Sequence, residues 1–448
     1  MATSPTPQAP AEPLPAPGVH QPDPAERSRP RLLRGGHLID VADGELRGGQ
    51  DVLVVDGRVQ RIGANLPVAG AETVDVEGRY LLPGLIDLHV HPGMMVGLRM
   101  DPNGQSLDRY KHDLQVWLRY GVTTVQSMGT DRPLAYDIQA EQSQGSFAGA
   151  RLFSAGNGFG VAGGAPPFTM RDPPGPVRLD DPVVIRGTLV ELSERGVSGV
   201  KLWYDDLYHQ VPKMAPQVAE TIIRTCRELN LTSYAHVYYV DDAKLLIGYG
   251  LQVLAHMPRD REVDEQLIDL LRQRDVAVLP TISVPESNVV YVDKPAWVDD
   301  PLFARFLPPG SVDFLRDEAY LDTIRAKPEY PSLRPDLERA KRNTSLLYQA
   351  GVRLGFGTDT GVSNRVIGFY DHRELELLMA CGVRGPDALR IATLGSAEIL
   401  DRADELGQIA PGRRADILVL RENPLESITH TRTIESVWSD GVRVADGL

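Results

Sequence analysis

Between Pro83 and about Leu400, short apolar runs alternate with helical periods, and this alternation restricts the fold more than any other feature of the chain. Lys111–Tyr120 carries Leu114, Trp117 and Leu118 at helical spacing, and the apolar run Gly121–Val125 follows it. The same pairing recurs at Val183–Arg195 with Val197–Trp203. It recurs again at the helical face Val218, Ile222, Cys226 and Leu229 with Thr232–Val237, and at Ala243–Tyr249 with Gly250–His256. Leu267–Arg274 with Val276–Thr281 and Leu337–Ala350 with Val352–Thr358 continue the series, and the helices Glu374–Ala380 and Asp387–Leu400 close it. A helix between strands is the crossover that parallel pairing needs. Eight such units over about 300 residues predict an α/β fold, a (β/α)8 TIM barrel rather than a doubly wound sheet. Val284–Pro335, rich in proline and aromatic residues, is predicted as an elaborated loop near the barrel mouth.

The two chain ends have a different pattern. His37–Asp40, Asp51–Val55, Arg58–Ile62, Thr73–Val76 and Tyr80–Leu82 read as short strands, with an Asp56-Gly57 hairpin turn. Gly407–Ile409, Ala415–Leu420, Glu435–Trp438 and Val442–Val444 repeat that pattern around Asp440-Gly441. We therefore expect one β-sandwich from residues 31–82 and 405–448, with a catalytic barrel, 83–404, inserted between its halves. Residues 1–30, rich in proline and alanine, are expected to be a disordered tail or, if docked, an extended one.

Composition excludes several classes. A formal net charge of −14 leaves no basic stripe for nucleic acid. No run of about 18 apolar residues is present to span a membrane. The N-terminus lacks the basic and apolar segments of a secretory signal, so a cytoplasmic protein is expected. Cys226 and Cys381 lie far apart and read as small buried hydrophobes.

Catalytic side chains of such a barrel sit at the C-terminal ends of its strands. The first strand, Ile86–His91, puts Asp87, His89 and His91 on one face. Lys201 lies between apolar neighbours in the fourth strand, His236 in the fifth and His256 in the sixth, and Asp359 ends the eighth. One such residue has little meaning, since a lone lysine snorkels and an Asp near a glycine marks a turn. Four histidines, a lysine and an aspartate on successive strand ends form a metal-ligand pattern.

These residues, with Leu81–His91, Gly121–Val125, Gly355–Asp359, His372–Leu378 and Leu406–Asp416, resemble the metal-dependent amidohydrolase superfamily in its imidazolonepropionase-like and prolidase-like branch. The resemblance implies two divalent metal ions, zinc by preference. His89, His91 and Asp359 would hold one and His236 and His256 the other, with an N6-carboxylated Lys201 bridging them. A buried lysine readily loses its proton, and the free amine can add carbon dioxide. Many relatives carry a histidine where this chain has Tyr234, and a Gly-Gly-His loop where Gly163-Gly164 precedes Ala165, so substrate class is left open.

From this we expect a metal-bridging hydroxide to attack a carbonyl, with Asp359 as general base and then acid. The substrate would be a small amide: a dipeptide, an N-acyl amino acid or a cyclic amide. The alternatives are a lactone or ester at the same site, or a non-catalytic metal-bound assembly protein. Tyr204, Tyr238 and His372 are candidate substrate contacts. A homo-oligomer is expected from the resemblance.

Overall fold

The computed structural model describes residues 14–67, 70–166, 176–362 and 364–448. Both chain ends enter one hydrogen-bonded sheet. Its order is Val442–Asp446, Ile434–Ser439, Ile417–Leu420, Tyr80–Pro83, Arg31–Asp40, Glu45–Val55 and Arg58–Gly63, with Glu72–Asp75 beside Arg31–Asp40. The seam between the ends is antiparallel, Leu418 facing Leu82 and Val419 facing Leu81. Leu33, Val52, Leu81, Ile417 and Trp438 gather into one apolar cluster, so burial of the alternate positions fixes the register. Gly407–Ile409, expected as a strand, is irregular.

The parallel strands close into a ring. Leu85–Val90, Val122–Ser127 and Arg151–Ser154 pair in that order, as do Val200–Tyr204, Ser233–Val237, Val253–Leu254 and Ala277–Val278. The eighth position is filled by 352–360, which bonds on both sides without forming a regular strand. Val278 N donates to Arg353 O at 2.9 Å, and Leu88 N donates to Phe356 O at 2.9 Å. Phe159 pairs with Leu202 to bridge the third and fourth strands. The third strand has only Leu152 and Phe153 as bulky apolar residues, too short a run to stand out in the sequence.

Two expectations are corrected. Val284–Pro335 is not a loop but a series of short helices, and the helix expected from Leu337 begins at Tyr330, with Pro335 inside it. Tyr291, Phe303, Phe369 and Tyr370 are buried in a cluster of their own here, with Trp297 packed against it; the aromatic content that suggested a loop builds a small core. Residues 14–30 are not a free tail. Gln21 exchanges hydrogen bonds with the backbone of Ala148 at 3.2 and 2.6 Å, His20 N donates to Val444 O, and Pro24–Ser28 forms a helical turn capped by Asp23. The strap buries little by itself and is held by these polar contacts. Residues 1–13 of the expected tail lie outside the described residues. No described helix is long and apolar enough to cross a membrane.

Candidate metal centre

The strand ends bring the six candidate ligands together. Lys201 is fully buried and its Nζ lies 3.1 Å from His89 Nε2. Asp359 Oδ1 lies 2.8 Å from His91 Nε2 and 3.4 Å from His89 Nε2. Ligand atoms of His89, His256 and Asp359 all fall within 4.8 Å of one another. The His236 and His256 rings are 4.3 Å apart, which completes a continuous cluster. It lines a cavity of about 360 Å³, walled by Trp203, Met100, Leu207, Val362 and Pro166.

Each histidine has one ring nitrogen tethered away from the cluster. His89 Nδ1 donates to Ala255 O at 3.0 Å, and His236 Nε2 donates to Asp205 Oδ2 at 2.9 Å. Both partners only accept, so in the neutral ring the other nitrogen is bare. Burial lowers the basicity of both rings, most strongly for His89, which favours that neutral form. His91 Nδ1 is 2.8 Å from Thr130 Oγ1 and His256 Nδ1 is 2.7 Å from Thr281 Oγ1. Four imidazoles tethered in this way beside a carboxylate form a donor set suited to divalent metal.

Electrostatics agrees. Burial drives the Lys201 ammonium down to about 7, so a free amine is accessible at neutral pH. Burial alone would raise Asp359, but the Arg365 guanidinium and the two first-strand histidines hold it well below the usual carboxylate range. Arg365 grips it twice: Nη2 donates to Oδ2 at 2.8 Å and Nε donates to the Asp359 carbonyl at 2.6 Å. Asp359 and Thr281 both sit in the left-handed region, with φ of 56° and 44°, a costly conformation for residues other than glycine. Gly361, at φ 88°, passes so close to the His91 carbonyl that a Cβ would lie 2.1 Å from it.

Behind the cluster, Asp87 braces the first and eighth strands. It accepts from His89 N at 2.8 Å and from Thr358 Oγ1 at 2.5 Å. Burial raises it to about 7, and burial and the Asp87 charge raise Asp371 beside it as well.

The pattern of the amidohydrolase family matches residues 80–444. The chain belongs to the amidohydrolase family. It is similar to the dihydroorotase of Pelotomaculum thermopropionicum, 36% identical over 104 residues, which are 23% of this chain and 22% of that protein. The match thus spans about a fifth of the length of that curated relative. Among solved structures it resembles a Xaa-Pro dipeptidase with methionine bound in its active site (TM-score 0.75, 21% identity, 93% of this chain and 100% of that one). It also resembles a prolidase complexed with N-methylphosphonate-L-proline (TM-score 0.73, 23% identity, 94% and 100%). At these identities the two structures speak for the fold.

This amidohydrolase departs from three expectations. Tyr204, Tyr238 and His372 do not line the cavity. The Tyr204 ring is buried among apolar side chains. Tyr238 donates its hydroxyl to Asp336 Oδ2 at 3.0 Å. His372 is wedged at the junction with the C-terminal segment, one nitrogen 2.9 Å from Thr431 Oγ1 and the other 3.0 Å from Tyr120 O. Ala165, in the position where many relatives carry a histidine, does line the cavity. Sequence reasoning missed Arg365, Asp205, Thr130 and Thr281. None carries a local motif. Asp205, one residue past the fourth strand, and Thr281, which ends the run Val276–Thr281, had readable positions.

Proposed function

We propose that this amidohydrolase cleaves a C–N amide bond in a small substrate: a dipeptide, an N-acyl amino acid or a cyclic amide. In this reading His89, His91 and Asp359 hold one divalent ion, His236 and His256 a second, and N6-carboxylated Lys201 both, with zinc the best match to the donors. Such ions supply Lewis acidity toward a carbonyl and lower the pKa of water. The observation that carries the reading is the tethered donor set, in which four imidazoles each have one nitrogen held elsewhere and Lys201 Nζ lies 3.1 Å from His89.

The chain's own groups do the rest. Trp203, Met100, Leu207 and Val362 give the substrate an apolar wall that excludes bulk water. Asp359 is a carboxylate at working pH, so its Oδ1 starts in the proton-accepting form and can return a proton to the leaving nitrogen. Arg365 occupies Oδ2 and directs Oδ1 toward the histidines.

The test is a panel of dipeptides, N-acyl amino acids, cyclic amides and lactones against protein loaded with zinc, manganese or cobalt. Amide turnover that disappears on chelation is the expected result. Turnover of lactones alone would replace the amide reading with an esterase one. No turnover by protein that holds its metal would favour the non-catalytic metal-bound alternative, and less than one metal per chain after loading would overturn the two-metal reading. The proposed homo-oligomer is checked by light scattering on the eluting protein.

A further inference from the structure

A second cavity, of about 460 Å³, lies at the other end of the barrel. Arg151 and Leu152 at the start of the third strand, and Gly196–Ser198 ahead of the fourth, form one side of it. Asp440 in the final hairpin turn and Arg27 on the N-terminal strap form another. It is therefore a junction of barrel, sheet and strap, the kind of place where ligands settle between packed units. A smaller adjoining cavity of about 240 Å³ shares Arg27, Arg414 and Asp440 and adds Arg58 and one further acid, Asp56, so the two cavities together are lined by five arginines and two carboxylates.

Its charge runs against that of the chain. The protein has 61 acidic residues against 47 lysines and arginines, yet the larger cavity is lined by four arginines, Arg27, Arg151, Arg402 and Arg414, and one acid, Asp440. Local pairing accounts for two of them. Arg151 pairs with Asp416 at 2.7 Å and Asp440 at 3.1 Å, and Arg414 pairs with Asp440 at 2.7 Å and Glu405 at 3.2 Å. Arg27, Arg402 and Arg58 have no carboxylate within 4 Å among the described residues. Their guanidiniums bond only to the backbone carbonyls of Gly145, Asp401 and Gly412, respectively. The Arg27 Nε is buried with no acceptor. Arg27 therefore carries a buried donor with no partner, while Arg58 and Arg402 are exposed at the mouths of the two cavities with their charges free of any ion pair.

We propose that this junction binds a small molecule carrying two or more linked phosphoryl groups. Guanidinium is the side chain suited to phosphate, because its planar fork meets two oxygens at once and stays charged at all working pH. Two joined cavities exceed what one phosphate fills, and three cations outside any ion pair, against two lining carboxylates, match a chain of anionic groups. The bound anion ties the strap, through Arg27, to the sheet and the barrel floor. The inference is independent of the hydrolase reading, since no residue of the metal cluster takes part.

The experiment uses the full chain and pyrophosphate, with sodium chloride at matched ionic strength as reference. Titration calorimetry is expected to show saturable binding, and trypsin cleavage after Arg27 is expected to slow severalfold when pyrophosphate is present. Arg27→Gln combined with Arg402→Gln is expected to weaken binding at least tenfold with hydrolysis unchanged. Arg58→Gln alone is expected to weaken it less, and it serves as the test if the double variant does not fold. No saturable binding by the wild type overturns the proposal. So does equal binding by the folded variants, which would trace the heat to metal chelation.

Discussion

The histidines at the strand ends and His372 at the barrel's junction with the C-terminal segment are all buried or nearly so, and both sets stand beside helices and strands of the same barrel. They differ in how many ring nitrogens are used. His89 and His236 each give one nitrogen to a fixed acceptor and keep the other toward the cluster. His372 gives both away, to Thr431 and Tyr120. Burial and residue type are shared, so the difference lies in what the second nitrogen meets: another candidate ligand, as with His89 and Lys201 or His91 and Asp359, against a structural hydroxyl or carbonyl at His372.

That contrast can be broken most forcefully at the cluster. Lys201→Ala and His89→Ala are expected to lower kcat/KM by more than a hundredfold. Even residues behind metal ligands cost about 10–100-fold when removed, and these two are in the centre of the cluster. Metal content by elemental analysis should fall in parallel. A Lys201→Ala enzyme with full activity would remove the carbamate from the reading.

Arg365 is the next test. Its guanidinium fixes Asp359 from two sides. Arg365→Leu is expected to cost roughly 10–100-fold in kcat/KM and to weaken metal retention. Arg365→Lys, able to replace the charge but not the fork, should restore only part of the loss. If Leu and Lys behave alike, the charge is irrelevant and the fork geometry is what matters.

Lys201 also gives the cluster a pH signature that His372 cannot supply. Its amine titrates near 7 in the folded protein and near 10.5 when unfolded. Between those values the unfolded chain binds more protons, so folding stability rises with pH, by up to about 1.4 kcal/mol per pH unit from this group. Below about 7 both states are protonated and the contribution is flat. Denaturant melts of metal-free, bicarbonate-free protein should show the rise, and Lys201→Met should remove it.

The barrel and the candidate ligands were legible in the sequence for one reason: both are written as periodic signals. Apolar runs set the strand positions, and the ligands are the polar residues that end those runs, as with His256 after Val253–Ala255. What was not legible there depends on partners that no local pattern marks. Thr130 meets His91 from 39 positions away, only after the first and second strands have paired, and Arg365, though six positions from Asp359, follows it in an irregular segment with no period to mark it. The same holds for the helices of 283–335, where Trp297 and Phe303 pack with Phe369 from another segment. His372 failed the other way. It lies in a familiar motif, but its two hydrogen-bond partners come from positions 120 and 431.

The mildest change should be at His372. Its pKa is pressed down to about 3, chiefly by burial, so it is neutral at all working pH. A neutral ring with Tyr120 O as one partner donates there and meets the Thr431 hydroxyl with its other nitrogen. His372→Leu would leave the Tyr120 carbonyl without that donor in a buried site, at a cost of about 1–3 kcal/mol in stability. His372→Gln, which can still donate, should cost less. Neither is expected to change kcat/KM by more than about threefold at a temperature where the variant stays folded, because the ring touches nothing in the cavity. A large drop in kcat/KM in fully folded His372→Gln would mean that the junction and the metal cluster are coupled, and the division drawn from their hydrogen bonds would fail.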